Sequence, residues 1–207
     1  MRKKIISILI SILFIFTIFS INVFAGNIDD PEITDNEGDA FGYIDIDSVW
    51  FYEDENNPDI LYISMKINNP VLWHFQQTFA VFWEYNDIKY FCSLHLGFDI
   101  GENWTKYSVG RHPINDYYDE FHRNITGTYS ISDGIINWEI PKKFIRNPEK
   151  NDILTNTWSN AFRRLGIIGR AGFTRYILDA LIFRIFGNSM WDYAPDSGYG
   201  EDYIIQY

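Results

Sequence analysis

Along most of this chain apolar and polar residues alternate with a period of two, the pattern of strands with one face buried. In Ile60 to Ile67, Leu61, Ile63, Met65 and Ile67 alternate with Ile60, Tyr62, Ser64 and Lys66. Phe79, Val81, Trp83 and Tyr85 line one face of the next run, and after the turn Asn86-Asp87 the set Ile88, Tyr90, Cys92, Leu94 and Leu96 lines one face of a hairpin partner. Ile136, Trp138 and Ile140 oppose Ile135, Asn137 and Glu139 in a strand that follows the turn Ser132-Asp133-Gly134 and stops at Pro141. Lys106 to Val109 and Gly127 to Ile131 read as shorter strands, and Pro141 to Asn147 as a short turn or helix. Thr155 to Phe162 fits either strand or helix. These elements predict an all-β fold, an antiparallel β-sandwich of about seven to nine strands.

Two segments break the pattern. Residues 1–25 have the form of a signal peptide: Arg2, Lys3 and Lys4, an apolar stretch from Ile5 to Phe19, and Val23-Phe24-Ala25 before Gly26. Residues 5–28 carry no charge and are long enough to span a bilayer if cleavage does not occur, so an uncleaved anchor stays open. In both cases the remainder, 26–207, is a single exported domain, extracellular or at the cell surface. The second segment, about 165–187, is strongly apolar but interrupted by Arg170, Arg175, Asp179 and Arg184. It predicts one helical insertion near the C-terminus, with Arg175 and Asp179 paired on one face, and four charges argue against a second membrane span.

Charge narrows the partners. The leader holds three of the 17 basic residues and no acid, so its removal leaves 14 basic residues against 28 acidic ones, a net charge of −14. Such a surface disfavours nucleic acid, and it disfavours membrane contact other than through the N-terminal segment. Cations and neutral ligands such as glycans suit it better. The one cysteine, Cys92, cannot form an intramolecular disulfide and falls on the apolar face of its strand.

The acids concentrate in a useful place. Asp35, Glu37, Asp39, Asp45 and Asp47 fall within 13 residues, with Gly38 and Gly42 between them. Hard oxygen ligands around a glycine turn are what a calcium loop needs. In a regular strand Asp45 and Asp47 would share a face about 6–7 Å apart, a repulsion that a shared ion would relieve. The expected ligands are Asp35, Asp39 and Asp45, completed by Glu37 or Asp47; the alternative is a solvated acidic loop. A second acidic cluster, Asp192, Asp196, Glu201 and Asp202, lies among turn residues. Trp73, Trp104 and Trp191, in or near turns, are candidate sugar-stacking rings; the alternative is that they close the ends of the sandwich.

The order Asp35-Asn36-Glu37-Gly38-Asp39-Ala40 followed by Asp45-Ile46 resembles the opening of DOMON-like and family-9-type carbohydrate-binding domains of secreted prokaryotic proteins. The tail from Asp192 to Tyr203 is similar to the closing segment of small exported sandwiches with that opening. The resemblance implies a jelly-roll fold, often with structural calcium and sugar binding; the insertion at 165–187 departs from it. No enzyme motif accompanies it. His74, His95, His112 and His122 lack zinc-site spacing, and neither a nucleophile elbow nor a nucleotide loop is present. The expected function is therefore a non-catalytic carbohydrate-binding or surface-recognition module. The alternative is a structural cell-surface protein without a glycan ligand.

Overall fold

A computed structural model describes residues 26–40, 43–70, 76–99, 102–113, 121–164 and 191–207. The leader, the helical insertion expected at 165–187 and Trp73 lie outside the described residues. Among those described are twelve strands: β1 Ile33–Thr34, β2 Ile46–Glu53, β3 Ile60–Ile67, β4 Gln76–Tyr85, β5 Ile88–Asp99, β6 Glu102–Pro113, β7 Phe121–Asn124, β8 Thr126–Ser130, β9 Ile135–Pro141, β10 Ile153–Arg164, β11 Trp191–Ala194 and β12 Tyr203–Ile204. A 3-10 turn, Lys142–Ile145, follows β9 and is the described helical element. The strand count exceeds the expected seven to nine because short pairings of two to four residues, too short for a periodicity argument, form at β1, β7, β11 and β12.

The strands form two antiparallel sheets. One has five strands in the order β1-β2-β3-β9-β8; the other has seven, in the order β11-β10-β4-β5-β6-β7 with β12 also on β10. The alternating pattern explains why they share a core. Val49, Phe51, Leu61, Ile63, Met65, Ile136, Trp138 and Ile140 from the first sheet and Phe79, Val81, Trp83, Tyr90, Cys92 and Leu94 from the second are fully buried in one cluster. Phe51 meets Trp83 across the layers edge to face, ring centroids 6.1 Å apart, and stacks on Tyr203 at 5.6 Å. Full burial of a side chain of this kind contributes about 1.5–3 kcal/mol. The arrangement is sandwich-like, and Cys92 lies at its centre, where burial raises its thiol pKa well above the ordinary value.

Turn chemistry matches the sequence. Asn86 and Asp87 both have positive φ, 50° and 58°, as a two-residue hairpin between β4 and β5 requires. Gly134 has φ of 66°, and a Cβ there would run into the Ile67 carbonyl oxygen. The ambiguity of Thr155 to Phe162 resolves as strand. The register of β10 on β4 shifts between Thr155 and Trp158, where Asn156 adopts φ of 52° and donates from its side-chain amide to Glu84 Oε2 at 2.9 Å. That bulge spoils the period of two locally.

One buried polar knot joins the sheets near β12. The Glu53 side chain is wholly inaccessible and its Oε1 meets the Lys142 ammonium, itself 7% exposed. Glu53 Oε2 accepts from Gln206 N at 2.6 Å and from the Tyr203 hydroxyl at 3.2 Å. Lys142 also donates to the Tyr207 carbonyl.

Candidate metal centre and aromatic face

The opening loop is held from both ends. Asp35 N donates to the Asp47 carbonyl at 3.1 Å, tying the loop to the start of β2, and Glu201 N donates to the Glu32 carbonyl at 2.7 Å. Gly38, at φ of 88°, turns the backbone so that its N–H reaches both Asp45 carboxylate oxygens, at 3.2 and 3.0 Å. Asn68 Nδ2 donates to Asp45 Oδ2 at 3.1 Å. Asp45 is thus buried and hydrogen-bonded under the loop. Asp47 sits at a bulge, where the pairing of β2 with β3 shifts between Ile46 and Ser48, and its carboxylate accepts from the Ser48 hydroxyl at 3.0 Å. The bulge interrupts the alternation that would have put Asp45 and Asp47 on one face. Glu37 is exposed on the loop.

The carboxylates that converge are Asp35, Asp39 and Asp192, each offering an oxygen within 4.8 Å of the others. Asp192 comes from β11. Alternation points Trp191 and Tyr193 outward and Asp192 inward, 3% exposed, where its Oδ2 accepts from Ile46 N at 2.6 Å. Asp196 joins from the following turn: it accepts from Asn36 Nδ2 at 2.6 Å and lies against Asp39. Residues from the two acidic segments of the sequence, Asp35 and Asp39 from one and Asp192 and Asp196 from the other, therefore meet in one place.

Its electrostatics are unfavourable without a cation. Both Asp35 oxygens are inaccessible, and among the described residues no side chain donates to them; only the Asn36 backbone N–H opposes the effect of burial. Burial, then the neighbouring Asp192, pushes the Asp35 carboxyl up to about 7. Burial also raises Asp192 to about 6, with Asp39 and Asp45 adding and the Ile46 N–H opposing. Asp39 is raised by partial burial and by Asp196. Two unit charges at 4.8 Å repel by about 3 kcal/mol at an effective dielectric near 20. A divalent cation would remove that repulsion and give Asp35 a partner; Asp35, Asp39 and Asp192 offer hard oxygens of the type calcium takes, three of the roughly six to eight that complete its shell.

Beside this centre the outer face of β10 and β11 carries an aromatic row. Phe162 stacks on Trp191 at 4.7 Å, Trp191 lies parallel to Tyr193 at 6.3 Å, Tyr193 to Trp158 at 6.4 Å, and Trp158 stacks on Phe82 at 4.0 Å. Trp191, Tyr193 and Tyr199 are well exposed. Trp158, Tyr193 and Tyr199 with Lys89, Asp196 and Ser197 line an open recess of about 470 Å³. Of the three tryptophans singled out by sequence, Trp191 belongs to this row and Trp104 pairs with Gly97 between β5 and β6. Trp158, Tyr193 and Tyr199 were not among the expected rings. Their signal was present for Tyr193, which shares Trp191's parity, whereas the β10 bulge hid Trp158.

No family model, curated protein or solved structure matches the chain.

Proposed function

We propose that this protein is an exported, non-catalytic carbohydrate-binding module whose sugar lies in the recess of Trp158, Tyr193 and Tyr199, with a calcium ion at Asp35, Asp39 and Asp192 fixing the neighbouring turn. The observation that carries it is the junction of the two features at Asp196. This residue lines the recess and also faces Asp39 in the acidic centre. Sugars present apolar C–H faces to exposed rings, while carboxylate, hydroxyl and ammonium groups, here Asp196, Ser197 and Lys89, engage their hydroxyls; concave, partly aromatic sites with few polar groups are where such ligands bind. The same reading takes the two sheets as a jelly roll of the DOMON-like kind and the leader as an export signal.

The test is a glycan array run with calcium and with chelator, followed by calorimetry on the strongest hit. Trp158→Ala and Tyr193→Ala are expected to weaken binding at least tenfold, and chelation to weaken it while leaving the sheets intact by circular dichroism. A blank array sinks the sugar reading and leaves the structural cell-surface role. Release of new reducing ends from a bound glycan overturns its non-catalytic part.

A further inference from the structure

We propose that the Ala25–Gly26 bond is a processing site and that the α-ammonium released on Gly26 is bound by the side chain of Glu32. The starting point is a carboxylate in an odd place. Glu32 Oε2 accepts from Phe51 N on β2 at 2.8 Å, and among the described residues no lysine or arginine pairs with Glu32. The groups facing it are acidic or neutral: Asp30, Glu201 and Tyr203. Burial, with Asp30 and Glu201 adding and hydrogen bonds from Phe51 and its own N–H opposing, pushes the Glu32 carboxyl up to about 7. Among the described residues no cation faces this carboxylate.

Gly26 occupies the open side. Asn27 and Asp30 form a backbone bridge, exchanging N–H···O bonds of 3.4 and 3.0 Å, and Asp29 N donates to Asn27 Oδ1 at 2.8 Å. This tight turn folds Gly26, which is buried, back onto Glu32. A Cβ built on Gly26 would stand 2.7 Å from the Glu32 carboxyl carbon and closer still to both oxygens, so the position admits only glycine while Glu32 keeps its bond to Phe51. Nitrogen and Cβ are about 2.5 Å apart on any tetrahedral Cα, which puts the Gly26 nitrogen within about 5 Å of that carboxyl carbon. That glycine is also the residue after the small-residue signal Val23-Phe24-Ala25.

The chemistry closes. An endopeptidase of the exporting membrane hydrolyses the Ala25–Gly26 amide with one water. The hydroxyl goes to the Ala25 carbonyl carbon and a proton to the Gly26 nitrogen. The amine that results, with an ordinary pKa of about 7.7–8.0, takes a further proton at neutral pH. Before cleavage the same nitrogen is a neutral amide and Glu32 stays without a counter-charge. After it, ammonium and carboxylate stabilise each other's charged forms, raising the amine pKa and lowering that of Glu32. Cleavage thus exchanges an uncompensated, half-buried carboxylate for an ion pair, and the mature chain gains a contact that its precursor cannot make.

The full chain is to be expressed with its leader, and the exported product identified by intact mass. An amino terminus at Gly26 is expected; any other terminus overturns the proposal. The α-amine of that product is then acylated at pH 7.5, folded and in urea, and the rate followed by peptide mass spectrometry. Pairing that raises the amine pKa by one unit is expected to slow the folded reaction about six- to eightfold at that pH and to shift its pH midpoint to about 8.7–9.0. Glu32→Gln is expected to restore the unfolded rate. Equal rates folded and unfolded in the unsubstituted protein overturn the proposal whether or not the variant folds.

Discussion

Replacing Lys142 by methionine should be among the most destabilising single changes in the described core. Among the described residues its ammonium is the one group that Glu53 Oε1 meets, in a position where the carboxylate is wholly inaccessible and Lys142 is 7% exposed. Glu53 Oε2 keeps its bonds from Gln206 N and Tyr203, so the loss falls on Oε1 and on the uncompensated charge. Removing one partner of a buried pair costs about 3–5 kcal/mol. For a domain of this size each kcal/mol moves the melting temperature by about 2–4 °C, so Lys142→Met is expected to lower it by about 6–20 °C. The mechanism makes a sharper claim. Glu53→Gln added to Lys142→Met should recover part of the loss, because the glutamine keeps an acceptor for Gln206 and Tyr203 and removes the stranded charge; the coupling should exceed about 0.5 kcal/mol. Urea unfolding of wild type, both single variants and the double variant measures this cycle. Additive losses, or a Lys142→Met protein within about 0.5 kcal/mol of wild type, would refute the reasoning.

Two further outcomes follow from the fold and the acidic centre. Asp35 and Asp192, held near 7 and 6 when no ion is bound, carry raised folded-state pKa values. Between about pH 4 and pH 7 the folded chain therefore holds more protons than the unfolded one, and stability falls as pH rises through that window. Calcium would keep both carboxylates ionised and should flatten the fall; parallel melting curves with calcium and with chelator would exclude an ion at this centre. Gly134→Ala meets both a positive φ and the Ile67 carbonyl, whereas Gly198→Ala meets a positive φ with open space around it. The first should lose clearly more than the roughly 1–2 kcal/mol expected of backbone strain alone in the second, read by urea unfolding.

The strands were legible because one face of each is buried. The alternating sets of β3, β4, β5 and β9 return as buried side chains: Leu61 to Ile67, Phe79 to Tyr85, Ile88 to Leu96 and Ile136 to Ile140. The pattern failed where a bulge inserts a residue, at Asn156 in β10 and at Asp47 in β2, since one extra residue exchanges the two faces. The second failure reached the acidic centre. Asp45 and Asp47 were paired by a parity that the bulge removes, and Asp192, which does join Asp35 and Asp39, stood in a separate acidic cluster far along the chain. Local spacing carries no information about which distant strand closes against a loop. The Glu53–Lys142 pair was illegible for the same reason, its members joined only by the docking of the 3-10 turn beneath β2.

The hydrogen bond from Ile46 to Asp192 spans 146 positions. A chain emerging amino end first from the ribosome delivers Asp35 and Asp39 long before Asp192, and β11 cannot add to β10 until nearly all of the polypeptide has emerged. Half of the acidic centre therefore waits, as an ordinary solvated loop, for the other half. On the calcium reading proposed above, an ion held there would mark a finished chain: truncated, stalled or misregistered products would present the opening acids with nothing to close over them.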